Sequence, residues 1–366
     1  MRVIANLCKG ALFAAALTAT VVSATAQTAG IVQPTSAVVT GFSGYGAGTP
    51  PPGATDPYDY ATIDTGGPSA RVVDLSALGA QGSPSGADKP FSVTAAQVGQ
   101  VFGVALDGAP QPNIFLAATS AYGLSIFTPD AGGLPQRIHT GAAGAAFVAG
   151  QFGPGGGPNS IWRVDGTTGA VTPFATVGSP GSVAGLGGLA FDRGSQQLFA
   201  VDRGTGIIYR FGLDGTPRGA YDHGTEGRPG AGLPLLALAP QPAIDIQSPS
   251  FDTGNPQTWG FAPTGRRVFA LAAYKERLYY SVAQGPQVWS AQIDSSGALN
   301  GSTARVEVEV PSLADGEEIA SIAFDSQGRM YLAERGPTSG DYQLTQLARG
   351  GTSRVLRFTQ KAASDP

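Results

Sequence analysis

Between Ile319 and Gly336 the sequence IASIAFDSQGRMYLAERG carries apolar residues at alternate positions, breaks at Asp325-Ser326-Gln327-Gly328, and resumes alternation in MYLAE. Successive side chains of a strand point to opposite faces, so two alternating runs around a short polar break predict a β-hairpin. Gly328 supplies the positive φ that a tight turn needs, and Asp325 can bond its own backbone two residues on. The unit recurs. GLGGLAFDRGSQQLFAVDRG (Gly185 to Gly204) has the same Phe-Asp, turn and Asp-Arg-Gly, and Val101 to Thr119 and Val268 to Gly285 are looser copies. Self-similarity of this kind governs the fold assignment.

A third run follows each hairpin: SIWRVD from Ser160, GIIYRF from Gly206, QVWSAQID from Gln287 and SRVLRF from Ser353. After three of them comes a turn, Asp165-Gly166, Asp214-Gly215 or Ser296-Gly297, and then a fourth run, AVTPFATV, TPRGAY or ARVEVEV. Four-stranded meanders packed radially cover each other's faces, which is the β-propeller solution to exposed sheet edges. The fold class expected is therefore all-β, a propeller of four-stranded antiparallel blades. Four units are legible, and residues 120–158 and 222–265 each have room for one more, which makes six blades the expectation and leaves five or seven open. The last unit has no fourth run after Phe358; ARVVDLSAL (Ala70 to Leu78) is expected to supply it and close the ring.

Composition changes this picture little. The chain has 54 Gly and 28 Pro in 366 residues, gathered between the apolar runs, which is turn-rich and not disordered. Residues 1–26 read as a secretory leader, with Arg2 and Lys9, the apolar ALFAAALTATVV, and a small-residue cleavage site at Ala24-Thr25-Ala26. The expected product is exported, to the periplasm or out of the cell. Cys8 lies in the leader and is the only cysteine, so a mature chain from Gln27 has no disulfide, no Cys-ligated metal and no Cys nucleophile. Losing two basic residues with the leader takes the net charge from -4 to -6, and no basic run exceeds Arg266-Arg267. Nucleic acid is not an expected partner, and no later run is long enough to insert in a membrane. Residues 27–69 form a Gly-, Pro- and Tyr-rich arm whose Tyr45, Tyr58 and Tyr60 can pack on the propeller side, 70–360 form the propeller, and 361–366 are a tail.

The units GLAFD-turn-QLFAVDRG-IIYRF and SIAFD-SQGRMYLAERG resemble the repeats of NHL-type and gluconolactonase-like six-bladed propellers, a superfamily that includes streptogramin lyase and hosts lactonases, lyases and binding modules. The gluconolactonase-like resemblance implies a divalent metal such as calcium on the axis, held by Glu, Asn and Asp, the Asp in an Asp-Gly just before the inner strand. The matching positions here are Gly187-Gly188 and Ala320-Ser321, without the Asp, and Glu317-Glu318 is the only acidic pair entering an inner strand. A hard cation wants about six converging oxygens, so the expectation is no cofactor, with the axial metal as the minority reading. The lyase resemblance needs an axial His; only His139 and His223 exist, both in expected loops. No GxSxG, HExxH, GxxxxGK[ST] or CxxC occurs, and Pro154 and Pro158 remove donors from the Gly-rich GPGGGP. Asp107, Asp165, Asp192, Asp214 and Asp325 read as turn formers. Asp202-Arg203 and Glu334-Arg335 read as turn carboxylates beside surface arginines.

Two classes remain: a non-enzymatic exported scaffold binding a protein, peptide or glycan, and a propeller hydrolase or lyase with a degenerate axial site. In a propeller, two-three and four-one connections emerge on one face. Every long insertion here (120–158, 222–265, 335–352) belongs to that face, and every short turn to the other. Long loops on one face of a rigid scaffold are the usual site of recognition. The ligand cleft is therefore expected there, on a monomer, from Arg137, His139, His223, Asp252, Trp259, Arg335 and Tyr342, with Trp259 as apolar anchor and the arginines pairing acidic or hydroxylated groups. No catalytic or metal-ligating residue is assigned.

Overall fold

A computed structural model describes residues 30–46, 48–54, 56–76, 86–121, 125–178, 185–238, 244–338 and 353–360. Blade 1 contains β1 (Ser36–Thr40), β4 (Pro68–Asp74) and β5 (Phe91–Thr94), with the short pair β2 (Tyr45–Gly46) and β3 (Thr62–Ile63) between them. Blade 2 is built from β6 (Val101–Leu106), β7 (Ile114–Ala118), β10 (Ser160–Val164) and β11 (Val171–Thr176), and a separate hairpin, β8 (Ile126–Pro129) with β9 (Pro135–Ile138), rises from its middle. Blade 3 runs β12 (Leu186–Asp192), β13 (Gln197–Asp202), β14 (Ile207–Gly212), β15 (Pro217–Asp222); blade 4 runs β16 (Val268–Tyr274), β17 (Arg277–Val282), β18 (Gln287–Ile293), β19 (Leu299–Glu309). Blade 5 has β20 (Glu318–Phe324), β21 (Met330–Arg335) and β22 (Val355–Phe358). The protein is a β-propeller, and all four hairpins and the seven later runs are strands in the expected meander order.

Two expectations are corrected. The described residues form five blades, not six: among them, 120–158 supply the β8–β9 hairpin and loops, and 223–265 supply no strand. The run from Ala70 does not complete the last blade. It is β4, the central strand of blade 1, antiparallel to β1 on one side and β5 on the other, while β22 pairs with β21 alone among the described residues. The physical reason is that residues 36–40, within the Gly/Pro/Tyr-rich arm, form a strand that competes for the same edge. β1 lies against β6, where Thr40 Oγ1 donates to the Phe102 carbonyl at 2.9 Å.

The turn chemistry is as read. Gly328 sits at φ 79°, its N–H reaches the Asp325 carbonyl at 3.0 Å, and Asp325 Oδ1 accepts the N–H groups of Gln327 and Arg329, both at 2.9 Å. Apolar clusters fill the spaces between blades: Val72, Leu116 and Trp162 between the first two, Phe115, Leu189 and Phe211 between the second and third, Tyr280 and Trp289 between the third and fourth, and Ile319 and Leu332 between the last two.

At the axis the inner strands nearly touch. A Cβ on Gly103 would lie 2.3 Å from the Gly187 carbonyl oxygen, and one on Gly188 would lie 2.8 Å from that of Phe269. Only glycine lets three backbones converge this closely. The Gly187-Gly188 pair that stands where the resemblance implies an aspartate is thus a packing requirement, because a carboxylate there would displace a strand.

The two insertions dock on each other over one end of the ring. Thr140 bridges Asp252, Thr253 donates to the His139 carbonyl at 2.9 Å, and Trp259, Phe251, Ile126, Ala121 and Ala145 share one buried cluster. No helix among the described residues is long and apolar enough to cross a membrane.

Candidate functional site

At the loop end of the axis, strand starts and strand ends place four charged residues together. Glu318 opens β20 and pairs in register with Arg335, the last residue of the neighbouring β21. Arg203 directly follows β13, and Arg267 directly precedes β16. Arg203 Nη2 grips both oxygens of Glu318, at 2.8 and 2.6 Å. Arg267 Nη1 approaches Oε1 at 3.2 Å, and Arg335 Nη2 donates to Oε2. One carboxylate thus ties blades 3, 4 and 5 together. The side chains of Arg203 and Glu318 are 0% and 4% exposed, while Arg267 and Arg335 keep 23% and 12% open to solvent. Burial alone would raise the Glu318 carboxyl; the guanidiniums of Arg203, Arg335 and Arg267 outweigh it and bring the group down to about 2.

Aromatic rings hold the guanidiniums flat. Arg203 lies 4.2 Å from the Phe261 ring centroid and 4.7 Å from that of Phe269. Arg335 lies 5.3 Å from Phe269 and Arg267 5.3 Å from Phe261. Such contacts suit arginine because its weakly hydrated planar cation stacks at low cost. Beside this node opens a cleft of about 340 Å³, floored by Phe261 and Arg267 and rimmed by Gln257, Asp315, Gly316 and Pro337.

The seven expected ligand residues divide. Arg335 belongs to the node. Arg137 lies in β9 and is buried, with its guanidinium 5.8 Å from the Tyr45 ring. His139, Asp252 and Trp259 meet in the docked insertions, but Trp259 is no ligand anchor: it is 1% exposed, and its Nε1–H donates to the Asp252 carbonyl at 2.9 Å. It supports the cleft from behind, its ring edge-on to Phe261 at 6.0 Å. Asp252 caps its own loop through Gly254 N–H at 2.7 Å. His223 is not a solvated loop residue either. It is buried in a π-helical turn, with Nδ1 3.1 Å from the Tyr280 hydroxyl and its ring against Trp289; burial first, then Arg228 and Arg266, lower it to about 3, so it stays neutral. Tyr342 lies outside the described residues.

Arg203, Arg267, Glu318 and Phe261 were not anticipated as site residues, although the signal was present. Asp202-Arg203-Gly204 and Glu334-Arg335-Gly336 end equivalent strands of two blades, and both arginines turn inward to the acid that opens β20. Neither is a plain surface arginine. The dibasic Arg266-Arg267, just ahead of β16, sends its two side chains apart: Arg266 pairs with Asp222 at 2.7 Å while Arg267 reaches Glu318. Glu317 points away and accepts the Leu313 N–H at 2.6 Å. The recurrent aspartates bond their own turns, as at Asp192, which accepts Ser195 N–H at 2.8 Å.

This donor set does not fit an axial cation. Glu318 is taken up by three guanidiniums, whose charge repels a metal, and no group of three His, Cys, Asp or Glu side chains suited to a metal occurs among the described residues.

No protein-family model and no curated protein matches the sequence. Among solved structures the chain is similar to a nidogen/laminin complex (12% identity, covering 72% of this chain and 69% of that one, TM-score 0.38). It is also similar to a gluconolactonase from Xanthomonas campestris (15%, 74% and 62%, TM-score 0.32) and to a streptogramin B lyase (15%, 64% and 62%, TM-score 0.30). No functional residue is carried over from any of them.

Proposed function

We propose that the chain is an exported, monomeric, non-enzymatic β-propeller that binds a protein, peptide or glycan on its long-loop face through an acidic group of that ligand. One observation carries the reading: among the described residues, the axial carboxylate at the loop end, Glu318, is shared by three arginines, and one of them, the partly exposed Arg267, also lines an open cleft. Asp315 on the rim of that cleft is solvent-exposed, so its charge is well screened. Arg267, with 23% of its side chain open to solvent, lines the cleft and can take a ligand carboxylate side-on, and Phe261 supplies the apolar contact that the expectation gave to Trp259. Export rests on the basic start, apolar run and Ala24-Thr25-Ala26 of the leader.

Arrays of peptides and glycans with and without carboxylates test this on the purified mature protein. Acidic members should bind, and Arg267→Ala and Phe261→Ala should each weaken them by about tenfold or more, the loss of an anchor of at least roughly 1 kcal/mol. Hydrolysis of a sugar lactone by the purified protein, abolished by a chelator, would instead establish the propeller-hydrolase alternative.

A further inference from the structure

A second cleft lies on the face that the proposal above leaves idle. A groove of about 820 Å³ runs between blades 3 and 4 at their short-turn ends, within the roughly 300–1,000 Å³ typical of small-molecule sites. Phe191, Tyr274 and Ile293 give it apolar walls, and Arg193, Lys275, Glu276, Gln292 and Asn300 are its exposed polar rim.

Backbone strain converges on the same place. Three non-glycine residues among those described have left-handed backbones: Gln196 at φ 52°, Lys275 at 46° and Glu276 at 60°. Lys275 and Glu276 are the two turn residues between the paired Tyr274 and Arg277 and line the groove; Gln196 adjoins its wall residue Ser195. A two-residue turn with positive φ at both positions is the setting for Asn-Gly. Lys-Glu there is costly, and such strain persists where the surroundings enforce it and function uses it. Lys275 lays its Nζ over the Tyr274 ring, 5.2 Å from the centroid, and Lys275 and Glu276 together put one charge of each sign on the rim of the groove.

The walls are preformed. Tyr274 stacks on Phe324 at 4.3 Å and 5°, the Glu276 carbonyl accepts Ile293 N–H at 2.8 Å, and Arg210 Nη1 reaches across to the Ser296 carbonyl at 3.3 Å. Charge is mixed: Asp192, Asp294 and Glu276 face Arg193 and Lys275, and Asp192 and Asp294 are engaged by Ser195 and Ser296 hydroxyls at 2.6 Å each. A strongly anionic or cationic ligand would meet its own sign here. A neutral molecule with many hydroxyls and a flat apolar face would meet alternating donors, acceptors and aromatic surface.

We infer that this groove is a second binding site, separate from the loop-face cleft, for a short neutral oligosaccharide. The test uses the full mature protein and an array of neutral gluco-, xylo- and chito-oligosaccharides, with hits titrated calorimetrically. Lys275→Asn/Glu276→Gly relaxes the turn; it should raise the melting temperature and weaken the hit at least tenfold. Gln292→Ala, an exposed position, should weaken it severalfold with an unchanged melting temperature, and Arg267→Ala on the other face should leave it intact. Four results would overturn the inference: no neutral oligosaccharide binds, the groove variants bind normally, the relaxed turn lowers the melting temperature, or Arg267→Ala abolishes binding. Selective capture of peptides by the groove would overturn it equally, while leaving the loop-face reading untouched.

Discussion

Replacing Glu318 by Gln separates the two jobs of the arginine node. The change keeps the shape and removes the charge that three guanidiniums share, one of them fully buried. Holding this carboxyl at about 2 against an ordinary 4.5 corresponds to about 3 kcal/mol in favour of the ionised form. Breaking a buried ion pair by removing one partner costs about 3–5 kcal/mol, so the two routes agree. With an unfolding entropy of about 2.1 cal/mol/K per residue, a chain of this size shifts its melting temperature by roughly 1.4 °C per kcal/mol, which places E318Q about 4–7 °C below the parent at pH 7. The sign against pH follows from the lowered value: this stabilisation is full above 4.5 and disappears as pH falls through about 2. Thermal unfolding from pH 7 to pH 2 should therefore show the parent converging on E318Q. A second readout follows the shared charge. With Glu318 neutral, three guanidiniums lose the carboxylate they share, so sulfate at millimolar levels should raise the E318Q melting temperature more than the parent's. An unchanged midpoint for E318Q, or an equal response of both proteins to sulfate, would refute the account of the node.

Three further outcomes follow from tightly packed positions. Gly188→Ala should cost about 1–3 kcal/mol in urea unfolding, as overpacking does, because its Cβ would lie 2.8 Å from a backbone oxygen, whereas Gly108→Ala, whose nearest neighbour is a Phe191 ring atom at 3.5 Å, should be neutral; equal effects would contradict the axial packing. Asp202 is raised to about 6 by burial, so its contribution to stability is present below 3.8 and lost as pH rises through about 6. Asp202→Asn should flatten that slope and gain up to about 3 kcal/mol at pH 7, and a variant that keeps the parent's pH profile would exclude Asp202 as its source. Trp259→Ala should cost about 3–5 kcal/mol locally, seen as faster hydrogen exchange in residues 125–146 and 244–262 with the blades unaffected; uniform loss of protection would mean the insertions are not a separate cooperative layer.

The meander was legible because each blade repeats its own local chemistry: alternating runs, Asp-bounded turns and a left-handed glycine at Gly328 are decided within a few residues. The blade count was not, since it depends on which distant segments compete for an edge. Residues 36–40 carry the apolar run SAVVT inside a stretch dominated by glycine, proline and tyrosine, and composition concealed a strand that tertiary pairing with β4 stabilises. The site failed in a parallel way. Trp259 and His223 were chosen as conspicuous side chains in long loops, and both are buried: Trp259 fills the contact between the two insertions, and His223 packs its loop onto Tyr280 and Trp289 of blade 4. Arg203 and Arg335 were visible as a repeated motif, but only the ring brings strand ends 132 residues apart onto one carboxylate.

The packing of the axis and its charge are two sides of one constraint. Gly103, Gly187 and Gly188 bring three inner strands so close that no side chain fits between them, so any axial chemistry is displaced toward the strand ends. At the loop end, the strands deliver three arginines and one glutamate, and stacking on Phe261 and Phe269 lets the cations stay partly desolvated. Desolvation strengthens whatever anion reaches them, because an arginine already stripped of water by a ring has less hydration to lose on binding. At the turn end, by contrast, both signs of charge alternate around aromatic walls, and no single sign dominates. On the two proposed readings, a ligand attracted by charge is directed to the loop face, and one recognised by shape and hydroxyls to the turn face. The two can bind at once only if the glycine-packed axis between them stays rigid. Binding an acidic peptide should then leave the affinity for a neutral oligosaccharide unchanged, and coupling of more than threefold between them would show that the axis moves.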